Sequence, residues 1–247
     1  MKLAKTCLQL DVGNSSAKWR LMVAGESIVR GRYTEDDAGS QAALLACSSA
    51  VEQIWISSVA SADRNTRLAR LLESHWGVSP WIPQSAAQTG VLCNSYAQPE
   101  RMGVDRWLAM LGAQRHRHGR FAVVDAGSAL TIDIVANNGQ HEGGYIIPGA
   151  ELMERALLLD TDRVRFEQDV AYALDPGRST AEAVRHGIAV AQVGSVHHVL
   201  EKAGIAATQM LFCGGGAEVL MQLMGIEGGY SPDLVFEGLE IMALEAD

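Results

Sequence analysis

Cysteine is scarce and scattered in this chain. Cys7, Cys47, Cys93 and Cys213 are the only four in 247 residues. With no Cys-x-x-Cys pair they fit neither a zinc site nor a disulfide framework, and reduced thiols are expected. Positive charge is also in short supply: 20 Lys and Arg against 29 Asp and Glu give a formal net charge of −9 and a pI near 5.3. A surface of that average sign repels phosphate backbones and anionic lipid, which argues against nucleic acid or a membrane surface as partner. No apolar run is long enough to span a bilayer, and the few apolar residues between Lys2, Lys5 and Asp11 do not make a signal peptide, so a cytoplasmic protein is expected. His116, His118 and the pair His197-His198 lack the carboxylate or cysteine spacing of a metal site. The basic run Arg115 to Arg120 reads as a helix C-terminus before Gly119. With 48% hydrophobic and 20% charged residues, the chain can bury one large or two modest cores.

What is present is a pair of acidic turns. Leu8 to Lys18 reads Leu-Gln-Leu-Asp-Val-Gly-Asn-Ser-Ser-Ala-Lys, and it is echoed by Asp125-Ala-Gly-Ser-Ala-Leu-Thr-Ile-Asp133. Each Asp-x-Gly follows an apolar segment (Cys7 to Leu10; Phe121 to Val124) and precedes another (Ala17 to Val23; Leu130 to Val135), which predicts two strands joined by a tight turn. The glycine lets a ligand approach the backbone, and successive N–H groups in the turn form a phosphate-sized nest. An aspartate beside a phosphate requires a cation between them, so Asp11 and Asp125 read as holders of a metal ion or its water.

The chain order repeats around these turns. In the first half, the hairpin leads to a strand at Ser27 to Tyr33, a helix at Gln41 to Ala50 and a buried strand around Ile54-Trp55-Ile56. A helix at Arg64 to Trp76 stopped by Gly77 and a short strand near Val78 to Ile82 follow. In the second half, a segment at Glu142 to Ile147 follows the hairpin, then helices at Glu151 to Leu159 and Ser179 to Ala203. The latter opens with a capping box of Ser179 and Glu182. A strand at Gln209 to Cys213 then runs through Gly214-Gly215-Gly216 into a helix at Glu218 to Met224. Strand-strand-strand-helix-strand-helix, twice, describes an α/β chain of two related lobes, 1–117 and 118–247. Each carries a mixed sheet with flanking helices, with the turns expected to face each other. This is the duplicated ribonuclease H-like fold of the actin and sugar-kinase superfamily.

Between the lobes, Gly103-Val104-Asp105-Arg106 opens a predicted helix whose Trp107, Met110 and Leu111 fall on one buried face. Asp105 suits the helix N-terminus. Arg106 stands on the wrong side of the dipole, which is better explained by an anion that it grips, such as a carboxylate. The stripe Val184, Gly187, Ile188 and Ala191 predicts close packing of one helix face, within the chain or across a dimer.

Taken together, Asp11 to Lys18, Tyr96 with Gly103 to Arg106, Asp125 to Asp133, Gly143-Gly-Tyr-Ile-Ile-Pro-Gly149 and Ser179-Thr180 resemble the type III pantothenate kinases, in that family's order and over nearly the whole chain. The resemblance implies ATP-dependent phosphorylation of pantothenate, the first step toward coenzyme A, by a cytoplasmic homodimer that uses Mg²⁺ and a monovalent cation, K⁺ or NH₄⁺. It implies that Asp11, Val12, Gly13, Asn14, Ser15, Ser16, Ala17 and Lys18 hold ATP phosphates and Mg²⁺, the latter at Asp11 directly or through water. Gly127 and Ser128 would hold phosphates, and Asp125 the monovalent cation. Tyr96, Gly103, Val104, Asp105, Arg106 and Thr180 would form the pantothenate site, Asp105 accepting the proton of the primary hydroxyl and Arg106 pairing with the substrate carboxylate. Ser128 stands where the family usually has threonine. The alternatives left by the residues alone are another small-molecule phosphotransferase of the same fold, or a nucleotide-binding accessory protein.

Overall fold

The computed structural model describes residues 6–14, 16–160, 165–166 and 168–245, and they form two compact units. The first comprises residues up to Arg115 together with those from Asp233 onward; the second runs from His116 to Pro232. The expected second lobe, 118–247, thus differs from the second unit at its end, because the last helix packs with the first.

The first unit is built on strands β1 (Thr6–Val12), β2 (Ala17–Val23) and β3 (Glu26–Tyr33), followed by helix α1 (Ala38–Leu45), strand β4 (Gln53–Ser58) and helix α2 (Ala62–Trp76). The sheet order is β3-β2-β1-β4. The hairpin pairs Asp11 with Lys18 and Val12 with Ala17, and β4 lies parallel to β1 with Ser57 beside Asp11. Burial alternates or runs continuously along β1 because it is central: Leu8 and Leu10 are sealed against Ile54, Ile56, Leu68 and Leu72. Helix α2 starts where Ser61 Oγ accepts the Arg64 N–H and stops at Gly77, whose φ of +69° only glycine adopts cheaply.

Two-residue strands β5 (Gln88–Thr89) and β6 (Leu92–Cys93) precede helix α3 (Val104–Ala113). Trp107, Leu108, Met110 and Leu111 on α3 are essentially sealed from water, each contributing about 1.5–3 kcal/mol of burial. Against α3 lies the last helix of the chain. The contact is closest at two glycines: a Cβ on Gly112 would fall 2.2 Å from the Leu234 carbonyl oxygen. One on Gly238 would fall 1.9 Å from that of Leu108. A buried polar cluster ties the same helix to the sheet. Arg20, 5% exposed, donates to Gln9 Oε1 at 2.7 Å, Glu240 Oε1 at 2.9 Å and Asp233 Oδ2 at 3.2 Å, and it lies 4.7 Å from the Phe236 ring centre.

The second unit repeats the sheet. Strands β7 (Phe121–Ala126), β8 (Ala129–Val135) and β9 (His141–Pro148) are antiparallel, helices α4 (Ala150–Asp160) and α5 (Thr180–Ala203) follow, and β10 (Met210–Cys213) pairs parallel with β7. The order β10-β7-β8-β9 is the first sheet's order again, with Cys213 beside Asp125 as Ser57 is beside Asp11. Helix α6 (Ala217–Met224) closes the unit over Val124, Ile132 and Phe212, and α7 (Leu234–Glu245) is the helix that returns to α3. This duplicated pair of mixed sheets is the expected α/β, ribonuclease H-like architecture.

Three expectations require correction. The strand near Val78 to Ile82 reduces to a single bridge between Trp55 and Trp81, because only two backbone bonds form there. Helix α1 begins three residues earlier than expected, Asp37 Oδ1 accepting the Gly39 N–H as its cap, and it ends at Leu45. Helix α7 is an addition to the expected order.

Candidate active site

In the first unit the acidic turn forms as expected. It closes with the Gly13 N–H donating to the Ser16 carbonyl at 3.0 Å. Ser57 Oγ donates to Asp11 Oδ1 at 3.3 Å, so the neighbouring parallel strand steadies the carboxylate. Val12 and Ala17 are buried beneath the turn, while Asn14 is exposed and Gly13, Ser16 and Lys18 are half-buried at its tip. Ser15 lies outside the described residues.

The second turn is one residue shorter. Its Gly127 N–H donates to Ala129 O at 3.0 Å, and Gly127 and Ser128 are exposed. Three glycines hold it from behind. Gly149 donates to Ser128 O at 3.0 Å, and a Cβ there would lie 2.4 Å from Gly127 O. Gly214, at φ +91°, comes so close that a Cβ would lie 2.3 Å from Asp125 Oδ1, and Gly216 donates to Ala126 O at 2.8 Å. The triple glycine, read in the sequence as the passage from strand to helix, is in this structure also a close approach to Asp125 and the turn.

The first unit also gathers the residues expected to hold the acceptor substrate. Helix α3 opens at Gly103, which has no side chain to cap it. Asp105 Oδ1 accepts the Arg106 N–H at 2.8 Å, which fixes the carboxylate at the helix start and satisfies an orphan donor of the first turn. A Cβ on Gly103 would lie 2.6 Å from that same oxygen, so glycine leaves the carboxylate its place. Arg106 is 5% exposed as a residue, and its guanidinium donates to the Tyr96 hydroxyl at 2.9 Å, with the ring centre 5.9 Å away. Val104 is buried beside them. Tyr96, Gly103, Val104, Asp105 and Arg106 therefore share one neighbourhood, and the Tyr96 contact supplies a partner within the chain for the arginine that the helix dipole disfavours. Thr180 belongs to the second unit. It is exposed at the start of α5, where Ser179 Oγ accepts the Glu182 N–H at 3.2 Å and Glu182 Oε2 accepts from Arg178 N at 2.6 Å. It lines an open apolar groove of about 730 Å³ between α4 and α5 with Leu152, Leu157, Val184, Gly187 and Ile188.

The donor chemistry suits a nucleotide with counter-ions. Among the described residues no three His, Cys, Asp or Glu side chains gather as a metal-binding group. A small divalent ion at a single carboxylate would take its remaining ligands from phosphate and water, the ordinary arrangement for Mg²⁺. Among the described residues no helix is long and apolar enough to cross a membrane.

The profile of the type III pantothenate kinases matches residues 7–202. A type III pantothenate kinase of Ectopseudomonas mendocina is 38% identical over 243 residues, covering 95% of this chain and 97% of its own. That of Cellvibrio japonicus is 36% identical over 241 residues, covering 95% of each. Among solved structures, a candidate 2-dehydro-3-deoxygalactonokinase from Sinorhizobium meliloti superposes with a TM-score of 0.60 at 16% identity, over 96% of this chain and 97% of its own, a likeness of fold. Motif order, sheet duplication and near-full-length similarity agree, and the chain belongs to the type III pantothenate kinase family.

Proposed function

We propose a division of labour among these residues for the reaction of the family, the phosphorylation of pantothenate by ATP that opens coenzyme A synthesis. The turn Asp11-Val12-Gly13-Asn14-Ser15-Ser16-Ala17-Lys18 binds ATP phosphates through its backbone N–H groups, and Gly127 with Ser128 binds phosphate in the same manner. Asp11 holds Mg²⁺, directly or through water, and Asp125 holds a monovalent cation, K⁺ or NH₄⁺. Bound there, these ions offset the repulsion between carboxylate and phosphate and neutralise charge that develops during transfer.

Tyr96, Gly103, Val104, Arg106 and Thr180 bind pantothenate, Arg106 pairing with its carboxylate. Asp105 receives the proton of the attacking primary hydroxyl. Phosphoryl transfer of this kind is mostly positioning and charge stabilisation, so these residues act by holding the alcohol in line and giving its proton a destination. The observation that carries the reading is the Asp105–Arg106–Tyr96 neighbourhood: one helix start presents a fixed carboxylate and, one residue on, a buried guanidinium.

The groove between α4 and α5, with Leu152 and Leu157 exposed at 38% and 39%, supports a homodimer formed through that face. The net charge of −9 supports a soluble cytoplasmic enzyme without nucleic-acid or membrane partners. Purified protein with ATP, Mg²⁺ and potassium, assayed for transfer to pantothenate and to pantetheine, tests the proposal. Transfer to pantothenate is expected, and its absence alongside transfer to another alcohol would assign a different phosphotransferase activity.

A further inference from the structure

Arg64 stands in the first turn of α2, and its guanidinium reaches under the first acidic turn. One nitrogen, Nη1, donates to the Gly13 carbonyl at 3.0 Å and also to the Asn14 carbonyl, while Nε lies 3.6 Å from Glu35 Oε2. The side chain is only 14% exposed. Its placement is built in from three sides. Ser61 caps α2, Ser58 Oγ donates to Asn65 Oδ1 at 2.5 Å, and the Val59 N–H donates to Val12 O at 3.1 Å, so the helix start is sewn to the ends of β4 and β1.

A peptide unit is planar and trans, so its N–H points away from its carbonyl. A carbonyl turned toward a phosphate repels it, whereas an N–H attracts it. Because Arg64 draws the Gly13 carbonyl to the α2 side, the Asn14 N–H is directed to the opposite, outer side of the turn. The Gly13 N–H is already spent on Ser16 O, so the orientation of the peptides after it decides what the turn offers a ligand. Glu35 steadies the other edge of the guanidinium, its carboxyl held below the usual carboxylate range first by the Arg67 hydrogen bond and also by Arg64.

We propose that Arg64 is a positioning residue for ATP: it touches no phosphate and orients the backbone that does. The proposal rests on the reading of Asp11 to Lys18 as the phosphate-binding turn. It predicts an effect confined to the nucleotide, because the Tyr96–Asp105–Arg106 neighbourhood shares none of these contacts.

The test compares wild type with Arg64→Met, which keeps the packing of the stem, Arg64→Lys, which keeps the charge without the fork, and Arg67→Ala, which removes the neighbouring cation bound only to Glu35. Binding of MgATP is measured by calorimetry without acceptor, and KM for ATP and for pantothenate by steady-state assay. Losing charge-assisted hydrogen bonds is expected to weaken MgATP binding and raise its KM by about 10- to 100-fold in Arg64→Met. KM for pantothenate should stay within about twofold, added guanidinium should restore part of the loss, and Arg64→Lys should fall between the two. Arg67→Ala should bind MgATP as wild type does. Wild-type MgATP affinity in Arg64→Met, or equal losses in Arg64→Met and Arg67→Ala, would overturn the proposal. A wild-type protein that binds MgATP but phosphorylates a different alcohol would refute the pantothenate reading alone and leave the comparison of MgATP affinities intact.

Discussion

Gly214 lies against the carboxylate of Asp125 so closely that the smallest side chain would collide with it: a Cβ would fall 2.3 Å from Oδ1 and 2.5 Å from Ala126 O. The backbone there, at φ +91°, already excludes most L-residues at a cost of about 1–3 kcal/mol. Gly214→Ala should therefore displace the aspartate assigned to the monovalent cation. Initial rates titrated with K⁺ should show saturation moved to higher concentration and a maximal rate reduced about tenfold or more. A K⁺ titration identical to wild type would argue that Asp125 holds no cation.

Asp105 makes a different prediction, because its carboxylate is assigned to the acceptor hydroxyl and not to ATP. A general base typically supplies about 10²–10⁴-fold, so Asp105→Asn should lower kcat by that order while KM for ATP stays within about twofold. The asparagine can still accept the Arg106 N–H, so the helix start is kept. Near-normal turnover in the variant would remove Asp105 from the role.

The α4–α5 face is apolar and open, and it is read as the interface between two copies. Leu157→Glu places a charge in the groove and should convert a dimer to a monomer in sedimentation velocity, since an unpaired charge at an apolar contact costs several kcal/mol. A wild-type protein that sediments as a monomer at micromolar concentration would refute the assignment.

Stability should be sensitive where α3 and α7 touch. A Cβ on Gly238 would lie 1.9 Å from Leu108 O, backbone that cannot yield without separating the helices. Overpacking of this kind costs about 1–3 kcal/mol, which for a chain of this length lowers Tm by roughly 2–12 °C. Thermal unfolding of Gly238→Ala followed by circular dichroism checks it, with an exposed Gly194→Ala as the comparison, since nothing lies within 4 Å of a Cβ there.

Alkaline pH should weaken the first unit through Cys7. Burial, and then the Glu240 charge, push its thiol from an ordinary 9.0 up to about 12, so the folded protein keeps a proton that the unfolded chain gives up. The stability belonging to this group is complete below pH about 9 and declines between pH about 9 and 12, by at most about 1.4 kcal/mol per pH unit. Urea unfolding of wild type and Cys7→Ala across that window should show the steeper decline in wild type. Equal slopes would mean that Cys7 ionises no differently in the two states.

The parts of the fold written in local pattern were legible beforehand. The two Asp-x-Gly hairpins, the parallel strands at Trp55 and Phe212, and the buried face of α3 all announce themselves by alternation, apolar runs and a glycine at the turn. Helix α7 did not. Leu234, Val235, Phe236, Gly238, Leu239 and Ala243 are all buried, so apolar residues surround much of the helix and leave no single stripe to recognise. Its partner is also set by two glycine contacts more than a hundred positions apart in sequence. Among candidate site residues, the turns and the Gly103 to Arg106 segment could be picked out as motifs. The arginine beneath the first turn could not, because Arg64 looks in sequence like any exposed helix cation and acquires its meaning only when α2 is laid beside Gly13 and Asn14.

Helix α7 belongs to the first unit although 117 residues of the second, His116 to Pro232, intervene. On the ribosome this inverts the usual order of completion, in which the leading domain finishes before the next begins. The sheet that carries Asp11 can form early, but Leu108 and Arg20 wait for partners encoded at the far end of the message. A nascent chain stalled before Asp233 therefore presents an unfinished first half beside a second half that already has all of its strands, and it is there that chaperones would find apolar surface to hold.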